Sequence, residues 1–134
     1  DADFTLKSSD GVLFKVHSPI LKLSSVFFRD LLAMPRDPLD VGMPVEIAEK
    51  SDVLEALLRI IYPHDSTPPK PMILEFMCTL QKAAEKYEMH YVTSYIRKEV
   101  MVRDDDPVAL YTLALRSGWK DIARYASVQA LRLS

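Results

Sequence analysis

What this chain has little of narrows its chemistry first. Cys78 is the single cysteine among 134 residues. It cannot form an internal disulfide or a cysteine-based zinc site, and it suits a reducing compartment. Three glycines, Gly11, Gly42 and Gly118, are too scattered to build a phosphate-cradling loop. No basic block occurs and the formal net charge is −2, whereas nucleic-acid binding normally calls for a basic stripe. No apolar run approaches the roughly 20 residues of a membrane span. The opening Asp-Ala-Asp has neither the basic nor the apolar region of a cleavable signal. These shortages predict an intracellular protein of cytoplasm or nucleus, without nucleic-acid or membrane partners.

Convergent chemistry is also missing. His17, His64 and His90 lack the three- or four-residue spacing that would pair ligands on a helix. Asp104-Asp105-Asp106 lacks the alternating oxygens and terminal glutamate of a calcium loop. Ser24 and Ser25 belong to no nucleophile motif and read better as helix caps. The sequence therefore predicts no catalytic residue, no metal and no cofactor, and a chain that is not an enzyme. A pocket for a small molecule beside the proline-rich loops is the remaining alternative of that class.

What is present is ordinary globular patterning, with 49% hydrophobic and 27% charged residues. At this length one domain can bury roughly two-thirds of its unfolded surface. Phe4–Leu6 and Val12–Val16 read as strands of a hairpin turned at Ser9-Asp10-Gly11. The period then changes. Ile20, Leu21, Leu23, Val26, Phe27, Leu31 and Leu32 recur at helical spacing, with a start at Ser18-Pro19 and a break at Ser24-Ser25. The second helix runs from Val26 to Met34. Residues 35–44 hold three prolines and one glycine and form a loop, and Val45-Glu46-Ile47 is a third strand.

Asp52 with Glu55 reads as a capping box. It opens a helix carrying Val53, Leu54, Leu57, Leu58, Ile60 and Ile61, ended by Pro63. Residues 63–71, with four prolines, are an exposed loop. Ile73, Phe76, Met77, Leu80, Ala83, Ala84 and Tyr87 mark an amphipathic helix, and Val92, Ile96 and Val100 another, with Arg97, Lys98 and Glu99 facing water. Asp106-Pro107 starts a helix that closes at Gly118. The last helix, about Lys120 to Leu131, presents Ile122, Ala123, Ala126 and Ala130, with Trp119 as a packing anchor between the two. The predicted core includes Phe14, Val16, Leu21, Phe27, Leu57, Ile61, Phe76, Leu80 and Tyr87.

Several of these residues together resemble a known family. Asp3-Phe4-x-Leu6, Asp10-Gly11, Phe14-x-Val16-His17, Leu21, Ser24 and Phe27 are similar to the opening of a BTB/POZ domain. The resemblance continues in Val45-Glu46-Ile47, Leu57-Leu58-x-Ile60-Ile61-Tyr62 and Ala83-Ala84-Glu85-Lys86-Tyr87. It implies an α+β BTB/POZ fold, a small sheet flanked by α-helices, over residues 1–102. A C-terminal helical extension, residues 103–134, packs on that core as a helical pair. Fungal BTB proteins with such a tail look similar.

The function implied is protein–protein interaction: self-association, scaffolding or an adaptor role. Many members dimerise through a segment placed before the Asp3-Phe4 position. As the sequence begins at Asp1, the expectation is a weak dimer or a monomer. Substrate adaptors of this family bind a cullin of a ubiquitin ligase through a hydrophobic-x-Glu motif, matched here by Met34-Pro35-Arg36. Arg36 stands where the acid would be, which ranks cullin binding below general scaffolding. The candidate interaction residues are Met34, Arg36, Asp37, Leu39, Asp40 and Met43.

Overall fold

A computed structural model describes residues 1–40, 42–63, 72–102 and 106–132, Asp40 by its backbone alone. The hairpin forms as the alternation predicts. Strand β1 (Phe4–Lys7) pairs antiparallel with β2 (Leu13–Val16), setting Phe4 opposite Val16 and Leu6 opposite Phe14. Gly11 takes φ +86° at the turn, a left-handed conformation that costs glycine little. Strand β3 (Val45–Glu46) adds to the other edge of β1, parallel, with Leu6 opposite Val45. The sheet order is β2-β1-β3. A parallel neighbour needs a crossover, here supplied by α1 (Ser18–Ser24), α2 (Val26–Ala33) and a 3₁₀ turn at Pro38–Asp40.

Four longer helices follow: α3 (Ser51–Ile61), α4 (Leu74–Lys86), α5 (His90–Met101) and α6 (Pro107–Ser117). Helix α7 (Lys120–Arg132) packs along α6. The core joins Leu6, Leu21 and Phe28 to Leu57 of α3, Met77 and Leu80 of α4, and Val92, Ile96 and Val100 of α5. At the α6–α7 corner Trp119 is buried, Gly118 takes φ +76°, and the Trp119 N–H reaches the Ala114 carbonyl at 2.8 Å. Pro107 opens α6, and Asp106 caps it by accepting the Ala109 N–H at 3.0 Å.

Two helices are capped from outside their own sequence. Neither α1 nor α3 has a side-chain cap at its own N-terminus. Instead Asp3, just before β1, accepts the Ser18 N–H at 2.8 Å and the Ser18 hydroxyl at 2.6 Å. Asp10, in the hairpin turn, does the same for Ser51, at 2.8 and 2.6 Å. Each carboxylate meets the positive end of a helix. The capping box predicted at Asp52 does not form. Asp52 lies inside the first turn and bonds only the next backbone N–H, at 2.7 Å, because Asp10 already occupies the capping position.

Other predictions need correction. Phe27 is 39% exposed while Phe28 is 2% exposed, since the eight-residue α2 turns residue 28 inward and leaves Phe27 on the rim. Leu23 and Ile73 are exposed, and Phe14, Ile61 and Phe76 are half-buried where full burial was predicted. Arg97 and Glu99 are half-buried on a helix face predicted to meet water. The Arg97 guanidinium lies 5.2 Å from the Trp119 ring centroid and reaches Asp121 at 2.6 Å. Met34 follows α2 and is not part of it. Residues 64–71 of the loop predicted over 63–71, with His64, and Asp104 and Asp105 lie outside the described residues.

The two ends of the burial scale give one test. Leu57 is 1% exposed and Leu23 is 90% exposed. Leu57→Ala should lower unfolding free energy by about 2–5 kcal/mol through lost transfer energy and a residual cavity. Leu23→Ala should stay within about 0.5 kcal/mol. Denaturant titration of both variants measures this.

The hairpin cap gives a second, in pH. The Ser51 hydroxyl first, then that of Ser8, hold the Asp10 carboxyl at about 2, against an ordinary 3.8. The folded value lies below the unfolded one, so the unfolded chain binds more protons between them. This contribution is complete above 3.8 and lost as pH falls towards about 2. Asp10→Asn should lower thermal stability at neutral pH and flatten its fall across that acid window. An unchanged acid profile would show that the cap carries no such linkage.

Candidate interaction surfaces

Residues 34–44 leave α2 and return to β3. Met34 follows the helix in extended conformation. Asp37 accepts the Leu39 N–H at 2.9 Å, an Asx turn that starts the 3₁₀ turn. Gly42 reverses the chain at φ +88°. Arg36 donates to the Met43 carbonyl at 3.3 Å, and its guanidinium lies 5.7 Å from the Phe4 ring centroid. The structure thus joins Arg36 to Met43 and Asp37 to Leu39. Met34, Leu39 and Met43 are all exposed, Leu39 by 87%. Between loop and sheet lies an open cleft of about 650 Å³, with Lys7, Arg36, Asp37 and Glu46 on its walls.

His17 and Ser25, two of the residues weighed for catalysis, make hydrogen bonds that tie helices together. The Tyr62 hydroxyl accepts the His17 backbone N–H at 2.8 Å and lies 2.9 Å from His17 Nδ1. His17 Nε2 is 3.2 Å from an Asp1 carboxylate oxygen. This ties the start of α1 to the end of α3. Ser25 is buried between α1 and α2, accepts the Phe28 N–H at 3.0 Å and donates to the Tyr87 carbonyl at 2.5 Å. Ser24 bears no such pair of bonds. Cys78 is half-buried on α4, Met77 and Met89 are buried, and Met72 packs on the core edge.

Tyr87 organises its own neighbourhood. Its ring stacks on Phe28 and meets Phe27 edge-on, each with centroids 5.2 Å apart. Its hydroxyl donates to Glu49, which also pairs with Lys86 at 3.2 Å. Burial, then the bond to Glu49, raise the phenol above its ordinary value. The chain leaves α4 through Glu88, held at φ +53°, with the Met89 N–H on the Ala84 carbonyl at 2.8 Å. That is the left-handed helix end usually given to glycine.

Periodicity did not single out a second surface, a groove of about 810 Å³ between α1, α2, the end of α3 and the start of α5. Ile20, Val26 and Ile60 line it, while Leu23 and Tyr91, 62% exposed, stand at its mouth. The only signal was Leu23 itself: on α1 it falls two residues from the inward-facing Leu21, off the buried face. Among the described residues no three histidine, cysteine, aspartate or glutamate side chains gather as for a metal. None of their helices is long and apolar enough to cross a membrane.

The serine pair yields a prediction. Ser25→Ala removes the α2 cap and leaves the Tyr87 carbonyl without its donor, and should cost about 1–2 kcal/mol. Ser24→Ala should change stability by less than about 0.5 kcal/mol. Chemical denaturation of the two variants decides whether the hydroxyls act as caps.

No curated protein matches the chain. The family model described as the BTB/POZ domain matches residues 1–102, a range that holds the sheet and helices α1 to α5 and takes in both surfaces. The chain therefore belongs to the BTB/POZ family, whose domains are protein–protein interaction modules.

Proposed function

We infer that this chain works as a scaffold or adaptor, with residues 34–43 as one docking face for a partner protein. The observation that carries this reading is the exposure of Met34, Leu39 and Met43 on a loop whose path is fixed by Arg36 and Asp37. Unbranched, polarizable methionines adapt to varied partner surfaces, and the bonds that Arg36 and Asp37 already make lower the conformational freedom lost on binding. Self-association is one form of the same role. Helices α6 and α7 act in it as an extension of the domain: Arg97 of α5 stacks on Trp119 and bonds Asp121, joining the pair to the preceding core.

A cullin is the specific partner with the least support. Arg36 occupies the position of the motif's acid, and it is committed to the Met43 carbonyl and the face of Phe4. Asp37 Oδ1 is engaged with the Leu39 N–H. A cation where a partner expects a carboxylate is strongly unfavourable at a desolvated contact.

Two measurements test the reading. Affinity capture with the whole chain should recover partner proteins, and the combined Met34→Asp and Leu39→Asp substitutions should lose them. Titration with the N-terminal region of a cullin from the same organism should give weak binding, strengthened by Arg36→Glu. Tight binding by the unmodified chain, unimproved by that substitution, would overturn the account of this loop.

A further inference from the structure

We propose that the groove between α1, α2, the end of α3 and the start of α5 binds an acidic amphipathic segment of a partner protein. The proposal rests on the reading of the chain as an interaction module and adds the chemistry of one ligand. It concerns a face separate from the loop at residues 34–43.

The apolar half of the argument is shape. Ile20, Val26 and Ile60 line a concave surface of about 810 Å³, and Leu23, 90% exposed, stands at its edge with Tyr91. A single exposed leucine carries no meaning. Here leucine and tyrosine rim a groove, an arrangement that receives apolar side chains of an incoming segment.

The polar half is charge. Among the described residues, Lys22, Arg29, Arg59 and His90 line the groove, against one carboxylate, Glu88. Arg59 is 2.9 Å from Glu55, which offsets much of its charge. Lys22 and Arg29, both exposed, still leave the rim positive on a chain whose net charge is −2.

Helix α5 adds to this field. It starts in the groove at His90, with no side-chain cap and no acidic residue in its first turn. The N–H groups of His90 and Tyr91 have no intrahelical acceptor, and the positive end of the α5 dipole faces the same space. Glu88 does not cancel it by capping, since its left-handed backbone serves to end α4 and its carbonyl accepts the Val26 N–H at 3.4 Å. A ligand that complements the groove presents carboxylates towards Lys22, Arg29 and the start of α5. Its apolar side chains lie against Leu23 and Tyr91.

The test uses the whole chain and a fluorescent amphipathic peptide of leucine, phenylalanine and glutamate, followed by anisotropy. A second peptide replaces each glutamate by lysine. The acidic peptide should bind at least about tenfold more tightly than the lysine peptide, and should weaken as salt rises from about 50 to about 500 mM. Lys22→Glu with Arg29→Glu, and separately Leu23→Asp, should each weaken it about tenfold or more. All three are surface positions, so unchanged melting curves confirm that the variants are folded. Leu39→Asp, on the other face, should leave peptide affinity unchanged.

Equal binding of both peptides, no binding of either, or loss of binding in Leu39→Asp would overturn the proposal. So would a dimer, seen by light scattering, that Leu23→Asp dissolves while the peptide has no effect, because the groove would then hold a second copy. If the peptide fails while loop-dependent capture persists, only the groove assignment falls. If both fail, the interaction reading falls with it.

Discussion

Two carboxylates of the N-terminal hairpin hold the starts of two helices, and the arrangement of the domain depends on them. Asp3 takes the Ser18 N–H and hydroxyl, and Asp10 takes those of Ser51 across a separation of 41 residues. Each bond satisfies a donor that a helix end would otherwise leave open. The geometry does more than cap. The hairpin is a rigid two-stranded unit, so fixing both of its ends to helix starts sets where α1 and α3 lie relative to the sheet. Serine suits the first helical position in both places, because it offers the same carboxylate a hydroxyl as well as the backbone N–H.

A second node sits at the opposite end of α1. Ser25 caps α2 and bonds the Tyr87 carbonyl, while Tyr87 stacks on Phe28 and reaches Glu49. The α4–α5 corner is thereby clamped to the α1–α2 corner. Glu88 accepts a left-handed backbone there, at a cost of about 1–2 kcal/mol for a residue with a Cβ. The outcome is a sharp turn that brings the start of α5 beside α1 and α2, and so makes the groove. Its floor is core side chains, and its rim is whatever those helices leave outside.

The two surfaces differ in what shapes them. The described residues between α2 and β3 are shaped by short-range bonds, the Asx turn at Asp37 and the Arg36 link to Met43. The groove is ordered by elements far apart in the chain.

The chain's periodicities and turn chemistry by themselves determined the elements: the hairpin at Asp10-Gly11, the order of the helices, the cap at Asp106 with Pro107, and the left-handed end at Gly118. These are signals carried within a few residues, and the BTB/POZ resemblance was assembled from the same local units. The loop between α2 and β3 was legible in the same way, as prolines between two regular elements, while the exposure of Met34, Leu39 and Met43 came from the tertiary structure. Tertiary structure alone decided what depends on distant partners. Asp52 looked like the cap of α3, yet Asp10 took that place. Glu88 gave no sign of the turn that Gly118 announced, although both end a helix with the same pair of backbone bonds. Leu23 and Phe27 fitted an apolar spacing, but short helices pack few of their residues inward, and the neighbouring elements chose Leu21 and Phe28. Local spacing fixes which residues share a helix face; only the packing of remote helices decides whether that face meets the core, the solvent or a groove.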